Sequence, residues 1–170
     1  MFYFLVFMSE INTLEDELEI RFRKFSEHPD IVWLAYSHKI VSSKMVQSHS
    51  YRNCNGVALL NSEMVGLSHY DLNNEYPETY LREMIKELKE QTTGDISAVL
   101  IGGDRHHLEW NRRVLKDHEI PIIGEYCDRW MDEGVLSKNH VVGDKHVIVV
   151  PKTQEVLMYS DPVGYKILTP

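Results

Sequence analysis

The stretch NCNGVALLNSEMVGLSHYDL, residues 53–72, carries a thiol at Cys54 and an imidazole at His69 near its two ends. A free thiol with a pKa of about 8.5 is mostly protonated at neutral pH, and a neighbouring imidazole can take its proton or stabilise the thiolate. That combination performs acyl transfer when a third polar group orients the imidazole; Ser48, Ser50 and Asn53 are within sequence reach. Gly56 and Gly66 leave room for a substrate backbone. The same residues also suit plain packing, because free cysteine is among the most buried residue types.

Two short apolar runs around a polar turn predict a β-hairpin over this stretch. A two-residue loop at Asn61 and Ser62 places Cys54 directly opposite His69. A four-residue loop pairs Cys54 with Asp71 and leaves His69 one step away on the same face, while a three-residue loop breaks the arrangement.

Other elements must position this hairpin. Ile11, Leu14, Leu18, Phe22 and Phe25 recur at helical spacing and predict a helix over 11–27. The apolar opening MFYFLVFM, within 1–10, reads as a buried first strand or an extension ahead of Met8. IVWLAY at 31–36 reads as a strand, and the serine-rich 37–53 as a strand with exposed alternation or a loop. Pro77 suits a first helical position, and Leu81, Met84, Ile85 and Leu88 form one stripe along a helix over 77–92. ISAVLIGG at 96–103 predicts a buried strand, followed by Asp104 as N-cap of a helix over 105–118 with Lys116 and His118 at its negative end. IPIIGEY, HVIVV and EVLMYS supply three more strands, the last two joined by the turn PKTQ. This order predicts a single α/β domain of α+β type over 1–170, a mixed and largely antiparallel β-sandwich or sheet flanked by helices.

The totals narrow the function classes. At 170 residues one domain suffices, and a net charge of -8 disfavours nucleic acid and an anionic membrane surface. The N-terminal segment lacks the basic flank and length of a signal or a membrane span, so no membrane insertion is expected. Two cysteines, Cys54 and Cys127, suit free thiols in a reducing cytoplasm; a bridge between them is the alternative.

Nine histidines invite a metal, with Asp104, His106, His107, His118, Cys127, His140 and His146 in the second half. His106 and His107 point to different helix faces and no i, i+4 pair is present, so no metal is expected. IGGDR lacks the later glycine of a dinucleotide fingerprint, and no cofactor is expected. Cys127 reads as packing at a strand end, with a resolving thiol for Cys54 as the alternative, and Tyr126, Trp130 and Met131 line a groove or belong to the core.

From Asn53 to about Ser160 the order of motifs resembles the CheD-type chemoreceptor glutamine deamidases and the wider cysteine hydrolase fold of the cytotoxic necrotizing factor deamidases. CNGVALL and VGLSH hold Cys54 and His69 in matching places; VLIGGD, with Gly102 and Gly103, is similar to the family's strand ending in GG. HHLEWN aligns Asn111, IPIIGEYCD aligns Asp128, and the family's threonine falls on Ser48. RNC replaces the family's GSC, CDRW replaces its second GG, and the family's arginine is at best Lys145. The resemblance implies Cys54, His69 and Ser48 as catalytic residues and Asn53, Gly56, Gly103 and Asn111 as substrate-binding. The implied reaction is deamidation of an accessible glutamine on a protein partner. A non-catalytic binding module on the same fold and a cysteine protease are the alternatives, and an exposed Cys54 sulfur close to a His69 nitrogen favours the enzymes.

Overall fold

The computed structural model describes residues 2–170 apart from 37, 52–53, 71–76, 103–104, 128–143 and 162. For 2–13, 77, 105–107 and 127 it describes the main chain alone. Three helices, α1 (Phe2–Ser26), α2 (Pro77–Gln91) and α3 (Arg105–Asp117), enclose two sheets. The first sheet has the order β1-β3-β8-β9-β10, formed by Val32–Trp33, Val46–Ser48, Lys145–Val150, Glu155–Ser160 and Gly164–Ile167. The second has the order β2-β5-β4-β6-β7, formed by His38–Ser42, Val65–His69, Gly56–Leu60, Ser97–Gly102 and Ile122–Cys127. Among the described strands only β1 with β3 and β6 with β7 run parallel. The fold is therefore α+β, an antiparallel-rich sandwich with helices outside both sheets.

Strand alternation divides the core into three layers. Val46, Val147, Val149 and Met158 of the first sheet meet Ala58, Leu60, Val65, Leu67 and Ile101 of the second. On the far side of the second sheet, Val57, Leu59, Ala98 and Leu100 pack on Leu81, Met84, Ile85 and Leu88 of α2 and on Leu108, Val114 and Leu115 of α3. On the far side of the first, Ile148, Val150 and Leu157 cover Phe22 and Phe25 of α1. Each fully buried side chain of this kind contributes roughly 1.5–3 kcal/mol relative to exposure.

Helix boundaries follow local chemistry. Pro77 opens α2, and Glu78 in its first turn with Lys89 in its last complements the dipole. Past α3, Glu119 takes a φ of 59°, and Ile120 N–H donates to Leu115 O at 2.9 Å, closing the helix with a left-handed cap. The N-terminal segment differs from expectation: Phe2–Glu10 continues α1 and forms no strand. The polar stretch 37–53 contributes two short strands, one to each sheet, and β10 was not foreseen.

Candidate functional site

Four residues, 61–64, separate β4 from β5, and the turn centres on Ser62 and Glu63, one position later than Asn61 and Ser62. Asn61 sets this: its N–H donates to Met64 O at 3.1 Å, and its Oδ1 accepts Glu63 N–H at 3.0 Å. Leu60 therefore pairs with Val65, and the bridge between Asn55 and Tyr70 continues the register outward. By that register Gly56 lies across from His69, and Cys54 stands two positions before Gly56, next to the bridged Asn55. The direct opposition of Cys54 and His69 is not formed, and the alternative pairing of Cys54 with Asp71 falls on a position outside the described residues.

Both residues belong to the face between the sheets. Cys54 is 7% exposed, within the core cluster that holds Ala58, Leu60 and Leu67. His69 is 0% exposed. Ser48, at the end of β3, reaches it from the opposite sheet, with Ser48 Oγ 2.9 Å from His69 Nδ1. Ser48 Oγ is also 3.0 Å from Leu34 O, which can only accept. The single hydroxyl proton is thus assigned to Leu34 O, His69 Nδ1 carries the donated proton, and Nε2 is left with its lone pair. Nε2 is buried and has no hydrogen-bond partner among the described residues. Burial, and then the charge of His49, push the His69 pKa down to about 4. At neutral pH the ring is uncharged and oriented as a base.

Tyr51, which the sequence reading missed, forms the wall of this site. Its ring stacks on His69 with centroids 3.7 Å apart and an interplanar angle of 12°. Its hydroxyl donates to Ser68 O at 2.9 Å, while Ser68 Oγ accepts Val57 N–H at 2.9 Å in place of that carbonyl. Tyr51 thereby enters between β4 and β5 beside Gly56. A Cβ on Gly56 would lie 2.4 Å from Ser68 O and 2.7 Å from Tyr51 Cε1, so the space expected for a substrate backbone is filled by the tyrosine ring. Tyr36, 51% exposed, closes the other side of His69 edge-on at 5.4 Å.

A fully buried lysine adjoins this wall. Lys145 Nζ donates to Tyr51 O at 2.7 Å, and Tyr51 N–H donates to Lys145 O at 3.3 Å. Lys145 shares the phase of Val147 and Val149 along β8, a period-two signal that marks it as inward-facing in the sequence itself. Tyr51 is preceded by Ser50 at a φ of 67°, a left-handed conformation rare for a residue with a side chain.

Asn111 lies elsewhere. It is buried on α3, on the helix side of the second sheet, with Oδ1 accepting the Tyr70 hydroxyl and Nδ2 without a partner among the described residues. Asn55, whose side-chain amide has no hydrogen-bond partner among the described residues at either atom, lies on the same side against Gly102. The sheet thus separates Asn111 from the inward face of His69. Asn53 and Gly103 lie outside the described residues, as do Asp71, Asp104, Asp128, Trp130, Met131 and His140, and so do the side chains of His106, His107 and Cys127. His146 stands beside His49 at 5.3 Å between ring centroids. Among the described residues no group of three or more metal-ligating side chains converges, and no helix is long and apolar enough to cross a membrane. No protein-family model matches the chain, and no curated protein matches it.

Proposed function

We propose that the protein is a cysteine-dependent amidohydrolase of the CheD-like kind, acting on a glutamine side chain of a protein partner. The observation that carries the reading is the oriented, neutral His69. Ser48 fixes its Nδ1–H, its Nε2 has no hydrogen-bond partner among the described residues, and it shares the inter-sheet layer with the Cys54 thiol. The likeness of CNGVALL and VGLSH to the deamidase pattern supports the substrate class.

In the reaction, His69 Nε2 takes the thiol proton and Cys54 Sγ bonds to the carboxamide carbon. The carbon–nitrogen bond then breaks, and His69 returns the proton to the departing ammonia. Water activated by the same nitrogen splits the thioester, yielding glutamate and restoring the thiol. The main-chain N–H of Asn55 donates to Tyr70 O at 2.9 Å, so the oxyanion must be held by other donors.

The enclosure of Cys54 and His69 favours a second reading, a partner-binding module in which both are packed. Mass spectrometry of candidate protein substrates separates the two. Wild type produces a gain of about 1 Da on glutamine that Cys54→Ala abolishes. Backbone cleavage would assign a protease, and a stoichiometric complex with no covalent change would assign the module.

A further inference from the structure

We infer that Lys145 is a positioning residue of this site: its buried amine, fixed on the carbonyl of Tyr51, places beside the nucleophile the positive charge that favours a Cys54 thiolate. The inference rests on the reading of Cys54 as the nucleophile. Among the described residues Lys145 is the one Lys, Arg, Asp or Glu that is buried, and charged side chains are seldom enclosed without a structural or chemical reason.

Its place is set by geometry on three sides. Nζ holds Tyr51 O at 2.7 Å, three positions ahead of Cys54 in the chain. The Tyr51 ring abuts His69 at 3.7 Å, and Tyr51 and Cys54 belong to one inter-sheet cluster with Val147, the inward neighbour of Lys145 on β8. Tyr51 and Cys54 are near enough that a charged thiolate acts on the phenol. Among the described residues, the titratable groups facing this end of the layer are Lys145 from β8, His69 and then Tyr70 along and after β5, and Tyr51 ahead of β4, with His49 beyond β3.

A thiolate here needs a counter-charge. Many cysteine nucleophiles obtain it from a protonated histidine, but His69 is uncharged at neutral pH and does not supply it in the resting site. In a buried layer a lysine amine acts over several ångströms with little screening. Lys145 therefore supplies the charge and His69 the base, which divides between two residues what an ion pair would combine.

The test is the pH dependence of alkylation by iodoacetamide in the full chain carrying Cys127→Ser, so that Cys54 alone reacts. The thiol titrates below its ordinary value of about 8.5. Lys145→Met, checked for folding by its thermal transition, raises the midpoint by about one unit and lowers the rate at pH 7 about tenfold, while Lys145→Arg holds it near wild type. An unchanged midpoint in folded Lys145→Met overturns the inference, as does a wild-type midpoint at or above the ordinary value. Should Lys145→Met fail to fold, NMR of the Lys145 Nζ group in the unmutated protein decides. Alkylation of Cys54 displaces that resonance if the charges face each other, and leaves it in place if they do not. None of these readouts requires turnover, so a Lys145-dependent thiol in a protein that deamidates nothing would overturn the deamidase reading alone.

Discussion

Ser48 Oγ and His69 Nδ1 lie 2.9 Å apart across the gap between the two sheets, a contact that ties the candidate base to the opposite wall of the sandwich. Because Ser48 is also bonded to Leu34 O, it fixes both the orientation and the tautomer of the ring. Ser48→Ala leaves a buried Nδ1–H unpaired. We expect a loss of roughly 1–3 kcal/mol in urea unfolding and a larger fall in turnover than in substrate affinity, with Ser48→Thr close to wild type. Equal stability of Ser48→Ala and wild type would show that the contact carries no such role.

The depressed pKa of His69 makes stability depend on pH. The folded pKa of about 4 lies below the unfolded value of 6.5, so the unfolded chain binds the extra proton first. Stability from this group is fully present above 6.5 and is lost as the pH falls from 6.5 through 4, by up to about 3 kcal/mol. Unfolding curves across that range should slope more steeply for wild type than for His69→Gln. His118 and His146 are also lowered by burial and contribute to both proteins alike, so the difference between the two slopes is the quantity to compare.

Gly56 is required by the approach of Tyr51 rather than by a turn. Gly56→Ala sets a methyl group against Ser68 O and the tyrosine ring, neither of which can move without opening the β4–β5 ladder. A destabilisation of about 2–3 kcal/mol is expected, together with loss of the stacked geometry at His69. Differential scanning calorimetry measures the first, and the His69 ring proton shifts report the second.

The amide pair beneath α3 gives an asymmetric prediction. Tyr70→Phe removes the donor to Asn111 Oδ1 and leaves that buried amide without a partner, at a cost of about 1–3 kcal/mol. Adding Asn111→Leu should restore most of the loss, because both polar partners are then gone. A double variant as unstable as the sum of its singles would contradict this reading of the cluster.

Much of the frame was legible. The stripe Leu81, Met84, Ile85 and Leu88 and the start at Pro77 gave α2 within one residue of its observed end at Gln91, and the apolar run from 96 gave β6. The hairpin itself was legible, but its register stayed open between a two-residue and a four-residue loop, because Asn61 closes the longer turn through its own side chain. Ser48 was identifiable as a hydroxyl within reach. Tyr51 was not, since its importance comes from a stacking partner on a distant strand and a gap left by Gly56. The helical state of Phe2–Glu10 escaped because a short apolar run has no period that separates strand from helix. Lys145 was the missed opportunity: its phase with Val147 and Val149 already placed a lysine on an inward face.

The central claim is that Cys54 and His69 hydrolyse a glutamine side chain. The most direct measurement is the reaction in water enriched in oxygen-18, followed by peptide mapping of the protein substrate. Wild type should convert a glutamine to a glutamate heavier by about 3 Da, one labelled oxygen replacing the departed nitrogen, and both Cys54→Ala and His69→Gln should leave it unchanged. Conversion that persists in Cys54→Ala, or label found at new chain ends in place of the side chain, would contradict the account.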